Sequence, residues 1–215
     1  MRISCTTLES FRLFMEPEQE WMSEDDLLAT VRGEFVGNHK VWLGQAFGAV
    51  IEHPSVYRVP GGFRVDALRG CPESFAFGDD VMEPVFGLIA DGAVFEAKGV
   101  KRYGRHDVVA KADQMVGAHL IETKTTLGSF DFDKYANSCQ WRFMADIFEP
   151  SKVTYHVFCL DESDAGVISL KGIETFDLYP YADVHNDCLN LVRAFETYVT
   201  AKGLVSLLDA RQHAA

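Results

Sequence analysis

Three strand-like stretches follow one another between Ala93 and Thr125, and the breaks between them leave room only for tight turns. The expected strands are Ala93 to Tyr103, Asp107 to Ala112 and Ala118 to Thr125, interrupted at Gly104 and at Gln114 to Gly117. Parallel neighbours would need a crossover of roughly a dozen residues or more, so strands this close pair antiparallel. A meander in the middle of the chain commits the protein to a sheet, and the segments on either side read mostly as helices.

Ser23 followed by Asp26 is an N-cap with an acid in the first turn, which predicts a helix from about Glu24 to Phe35. Asn38 caps a second helix, His39 to Glu52, with Val41, Leu43, Phe47, Val50 and Ile51 at a helical period and Pro54 as its stop. Gly44 and Gly48 lie on one side of it, where helix packing or a closely approaching ligand would each explain them. Ser55 to Phe77 reads as short strands and turns, and Asp80 to Ala90 as a short helix. Beyond the meander come a helix from Phe132 to Phe148, strands at Lys152–Leu160 and 167–177, and a helix from Ala182 to Lys202. The expectation is one α/β domain over residues 1–215, its central mixed β-sheet flanked by helices and its core at about 38–160.

Within the meander, HLIETKTT starts as core material and then sets Glu122 and Lys124 two apart, hence on one face of the strand. An exposed ion pair there would contribute only about 0–1 kcal/mol. A hairpin also brings Asp113, at the expected end of the preceding strand, toward Glu122. Two carboxylates that close repel unless a positive charge lies between them. Hard oxygen ligands without nearby Cys or His favour Mg²⁺ or Mn²⁺ over zinc. Lys124 is then placed to orient water or to stabilise charge building on a phosphate. Asp107 has the same strand parity as Asp113, so spacing alone leaves both open; the strand-end position favours Asp113. Glu96-Ala97-Lys98 repeats the tripeptide, but only Asp91 precedes it, without room for a strand, a turn and a second strand.

Hydrophobic residues at 47% and charged residues at 24% suit a globular chain with a sizeable core. No apolar run is long enough for a membrane span, and no secretory leader opens the chain. The five cysteines are scattered without a CxxC pair, which argues against zinc, a disulfide framework or a clustered iron–sulfur site and suggests a cytoplasmic setting. A lead-in bearing Glu16, Glu18, Glu20, Glu24, Asp25 and Asp26 around Trp21 and Met22 reads as a solvated face. The net charge of −12 disfavours non-specific attraction to nucleic acid. Six basic residues against four acids nevertheless make Glu96–Lys124 locally positive, and Lys101, Arg102 and Arg105 there suit either phosphate contact or a solvated hairpin tip. The histidines, including His106 and His119, show no metal-ligand spacing, and Trp141 and Phe143 read as core.

Asp113-x8-Glu122-Thr123-Lys124, followed by a helix bearing Gln140, resembles the PD-(D/E)XK nuclease superfamily, in its lambda-exonuclease and RecB-type branch. The resemblance spans roughly Val41 to Phe148 and implies a restriction-endonuclease-like core. It also implies Asp113 and Glu122 as metal ligands, the Thr123 backbone carbonyl as a further ligand, Lys124 as the catalytic lysine and Gln140 as the supporting helix residue. Glu52, closing the early helix, is the candidate for an additional ligand, with Glu83 behind it. Three positions depart from the pattern: Ala112 precedes Asp113 where a Pro is frequent, Met144 stands at a Tyr position, and Gly48 falls where a His is often found.

The expected activity is metal-dependent hydrolysis of DNA phosphodiesters by an exonuclease of phage or recombination type. No DNA-reading module is apparent, which fits sequence-independent cleavage. A homo-oligomer gathering basic stretches around a channel, and a recombination partner protein, are further expectations. The competing readings are a nuclease-fold protein that binds nucleic acid or a partner without cutting, and a phosphoryl hydrolase acting on RNA or a nucleotide.

Overall fold

The computed structural model of the protein describes residues 1–16, 22–34, 37–66, 68, 70–206 and 208. Glu18, Glu20 and Trp21 of the acidic lead-in, and Phe35 at the expected end of the first helix, lie outside the described residues. The chain runs β1 (Arg2–Ser4), α1 (Cys5–Met15), α2 (Glu24–Arg32), α3 (His39–Glu52), α4 (Pro54–Tyr57), β2 (Arg58–Val59), β3 (Gly62–Val65), β4 (Phe75–Gly78) and α5 (Asp79–Phe86). It continues through β5 (Val94–Tyr103), β6 (His106–Val116), β7 (His119–Thr126), α6 (Phe132–Ala136), α7 (Cys139–Phe148), β8 (Lys152–Glu162), β9 (Ile168–Leu178) and α8 (Val184–Ala201).

β5, β6 and β7 form the antiparallel meander that their spacing requires, turning at Gly104 (φ 61) and Gly117 (φ 58), where only glycine adopts a left-handed backbone without strain. α6 and α7 then carry the chain over so that β8 lies parallel to β7, with Glu122 opposite Tyr155. β9 returns antiparallel to β8, and β1 pairs parallel with β6. The result is a mixed six-stranded sheet, with β2–β4 forming a separate three-stranded sheet.

Successive residues of β8 point to opposite faces and divide the core. Val157 joins Leu8, Phe11, Leu27, Phe143 and Phe195 from α1, α2, α7 and α8. Phe158 joins Trp42, Phe47, Phe77 and Met82 from α3, the small sheet and α5. No helix among the described residues is long and apolar enough to cross a membrane.

Three expectations are corrected. β6 continues to Val116 rather than stopping at Ala112, so Asp113 lies inside a strand. The helix expected over 132–148 is two: Asn137 ends α6, and Ser138 starts α7 by accepting the Gln140 amide on its hydroxyl at 3.1 Å. α2 stops at Arg32 because Gly33 takes the left-handed conformation (φ 75). The N-terminal lead-in, expected to be helical, holds β1 and α1, with Leu8 and Phe11 buried.

Candidate active site

β6 has two edges and three partners. β5 pairs with it along nearly its whole length, from His106 to Met115. The opposite edge is therefore shared: β7 takes Gln114 to Val116, and β1 takes Asp107 to Val109. Past the Gln114–Ile121 pair, β7 leaves β6, and the two strands open like a fork.

The ladder bonds lost in the fork are replaced by side chains. The Asp113 amide donates to Glu122 Oε1 at 3.1 Å, and the Thr123 amide donates to Asp113 Oδ2 at 2.9 Å. Between the tines lies Lys124, its Nζ 2.7 Å from Glu122 Oε2 and 3.4 Å from Asp113 Oδ2. Glu122 is 1% exposed, whereas the Asp113 and Lys124 side chains keep about a third of their surface open (33% and 29%).

Asp113 is the one β6 residue without a ladder partner on either side. Across the other edge it faces Glu96, which holds a left-handed backbone (φ 57) unusual outside glycine. At this interruption the meander changes face. Phe95 packs with the α3 core and Ala97 with the α1–α7 core, although alternation would put both on one side. The turned backbone delivers Glu96 to the fork, where it pairs with Lys111 and lines the same cavity as Glu52 from the end of α3.

Burial, reinforced by the Asp113 charge, pushes the Glu122 carboxyl up to about 7 against the pull of Lys124. Burial also opposes the Lys124 charge, but Asp113 and Glu122 outweigh it and hold the ammonium well above its ordinary value. Glu52 is raised by burial first and by Glu96 second, with Lys111 acting the other way. The fork thus concentrates more negative charge than its lysines neutralise comfortably.

A cavity of about 630 Å³ opens between α3 and the fork, lined by Glu52, Glu96, Asp113, Gln114, Lys124 and Gln140. Gly44 lets α3 approach β7, since a Cβ there would lie 3.1 Å from Thr125 Oγ1. A Cβ on Gly48 would meet nothing within 4 Å, and Gly48 lines the cavity, so packing accounts for the first glycine and not the second.

The donor set suits a hard divalent cation: carboxylates, no sulfur or imidazole, and a fully buried carboxyl in need of opposite charge. Gln114, 3% exposed, adds an amide oxygen that has no hydrogen-bond partner and borders the same cavity. A cation or its hydration water would satisfy that orphaned acceptor. Among the described residues no three His, Cys, Asp or Glu side chains already converge as a metal cage. The Lys124 ammonium instead supplies the positive charge between the two carboxylates.

Of the residues expected from sequence, Asp113, Glu122, Thr123 and Lys124 meet at the fork, and Glu52 and Gln140 line its cavity. Asp107 does not join them: it sits at the opposite end of β6, its amide donating to the Met1 carbonyl at 3.0 Å. Glu83 is exposed on α5, apart from the cavity lining. The second tripeptide is corrected in part: Glu96 reaches the site, although Lys98 is not among its lining residues. Lys111 and Gln114 also line the fork cavity unannounced, and Glu9 and Tyr155 line a second hollow on the other side of Lys124. The Ser4 cap ahead of Leu8 and Phe11 would have revealed α1, and with it Glu9. The position of Tyr155 depends on the β7–β8 register, which no local spacing encodes.

No protein-family model matches the chain, and no curated protein matches its sequence. Solved structures do match in fold. A candidate exonuclease from Eubacterium rectale shares it with a TM-score of 0.51 at 7% identity, over 93% of this chain and 80% of that one. An alkaline exonuclease from Laribacter hongkongensis gives 0.50 at 11% identity, over 99% of this chain and 93% of that one.

Proposed function

We propose that this protein is a metal-dependent deoxyribonuclease, an exonuclease of phage or recombination type that hydrolyses DNA phosphodiesters. The observation that carries the reading is the meeting of Asp113, Glu122 and Lys124 where β6 and β7 part, beside a cavity open to an extended substrate. The two fold relatives, both described as exonucleases, support it.

In this reading Asp113, Glu122 and the Thr123 carbonyl would hold Mg²⁺ or Mn²⁺, with Glu52 as an additional ligand. The bound ion supplies Lewis acidity toward the phosphodiester oxygens. Glu122 gives up its proton to serve as a ligand. Lys124, released from its two carboxylates, turns its ammonium toward the water that attacks phosphorus and toward the charge gathering on the phosphoryl oxygens. The bond from phosphorus to the departing sugar oxygen breaks as the new bond to water forms, the attacking water releasing a proton to solvent and the departing oxygen taking one up from it. Gln140, at the start of α7, borders the fork from the far side and positions the strand.

Linear double-stranded and single-stranded DNA with Mg²⁺ provide the test, with wild type beside Lys124→Ala. The variant is expected to lose about 10²-fold or more in rate. A covalently closed circle should stay intact if cleavage starts from ends. Equal activity of the two proteins would overturn the catalytic reading. Absence of cleavage by either protein would favour the nuclease-fold binder that a net charge of −12 and Met144 buried in the core also accommodate. RNA and nucleotide substrates in the same assay define the substrate class.

A further inference from the structure

Phosphodiester hydrolysis at the fork assigns no task to Gln114. Its side chain is 3% exposed, and its amide oxygen has no hydrogen-bond partner among the described residues. Across the strands it is flanked by Phe95 on β5 and Ile121 on β7, neither of which has a polar side chain to offer. A buried amide left unpaired is uncommon enough to mark a missing partner. Gln114 borders the cavity of about 630 Å³ between α3 and the fork, together with Asp113 and Lys124.

The neighbours indicate which end of the amide the partner meets. A side-chain amide is nearly symmetric in shape, so it can turn either its NH₂ or its oxygen to the cavity. Carboxylates from Glu96, Asp113 and Glu122 already crowd the fork, with Lys124 engaged by Asp113 and Glu122, and Lys111 by Glu96. A further anion is therefore disfavoured, and an amide oxygen extends a surface that attracts cations and hydrogen-bond donors. Asp113 and Gln114 are consecutive in β6, and consecutive strand residues send their side chains apart. Diverging side chains share one small ion only with a water between them. The cavity has room for that water, since Gly48 of α3 puts no side chain into it. Mg²⁺ dehydrates reluctantly and is held through one or two carboxylates and several retained waters, whereas Ca²⁺ takes more oxygens directly.

We propose that Gln114 selects the cation at the fork: its amide oxygen accepts a hydrogen bond from a water that the ion retains, which favours Mg²⁺ over Ca²⁺. The proposal rests on the deoxyribonuclease reading, which needs the ion, and adds the basis on which the ion is chosen.

The test reads binding without turnover. Mn²⁺ bound to the protein above neutral pH is followed by electron paramagnetic resonance, and Mg²⁺ or Ca²⁺ is added to displace it. Gln114→Met keeps the length and bulk of the side chain and removes the acceptor, so its melting temperature should equal or exceed that of wild type. The variant should hold Mg²⁺ about 10-fold more weakly, as expected when an outer-shell partner is lost, with Ca²⁺ affinity changed by less than about twofold. Gln114→Glu keeps an acceptor in the same place and should bind Mg²⁺ at least as tightly as wild type. Equal Mg²⁺ affinity in wild type and Gln114→Met would overturn the proposal. A loss of Ca²⁺ affinity as large as that of Mg²⁺ would overturn it too, because the amide would then be a direct ligand. Should Gln114→Met unfold, weaker Mg²⁺ binding by Gln114→Glu decides against the proposal. Wild type that binds no divalent ion defeats the deoxyribonuclease reading itself, whereas wild-type binding that ignores residue 114 defeats only this inference.

Discussion

Glu122 is held by opposing demands. It is fully enclosed and beside another carboxylate, which favours its protonated form, yet it receives the Asp113 amide and the Lys124 ammonium, which favour its charge. A cation ligand must be ionised. With its carboxyl near 7, raised from an ordinary value of 4.5, Glu122 makes a cation compete with a proton at lower pH. Mn²⁺ affinity should therefore rise between pH 5.5 and about 7 and level off above. Titration calorimetry across that range checks it, and Glu122→Gln should bind more weakly and lose the slope. Identical wild-type affinities at pH 5.5 and 8 would remove the role given to this residue. The Glu122–Lys124 pair was legible because strand parity fixes one face, and Asp113 because a hairpin returns it to Glu122. Glu96 was not. Its arrival depends on a left-handed backbone within β5, and nothing in Glu-Ala-Lys requires that turn.

Elements decide how closely the site's parts are held. α7 brings Gln140 to the fork by lying tightly across β5. A Cβ on Gly99 would stand 2.5 Å from Ile147 Cγ2 and 2.9 Å from the Phe148 ring. Gly99→Ala should destabilise the fold by about 1–3 kcal/mol through overpacking, read from urea denaturation, and should lower activity by tilting α7 away from the sheet. An unchanged midpoint would mean that the helix moves freely there. Helices with a capping side chain ahead of a periodic apolar face, such as α2 and α3, could be read directly from sequence. The break at Asn137–Ser138 could not, because residues 132–148 keep a helical composition across it. β6 was read short for a related reason: Asp113 and Gln114 look like loop residues, and they are polar because they serve the fork.

The charge of the whole molecule sets a condition on its substrate. A net −12 repels a polyanion, and the locally positive stretch from Glu96 to Lys124 is a small counterweight. Affinity for DNA should then depend on divalent ions at the fork rather than on general basicity. Lys124→Ala, expected to cut slowly, should bind a labelled single strand at least about tenfold more tightly in Mg²⁺ than in EDTA, by fluorescence anisotropy. Equal binding in both would show that the strand is held elsewhere on the surface.

The fork stays open in part because β1 occupies the far end of the β6 edge that β7 abandons. That arrangement has a cost in time. Residues 2–4 are made well before their partners, residues 107–109, so β1 waits for a strand far along the chain. Closing so long a loop is slow relative to forming a local hairpin. The β5–β6–β7 meander is expected to assemble early on its own, and the geometry of the fork to mature only when β1 threads in beside it.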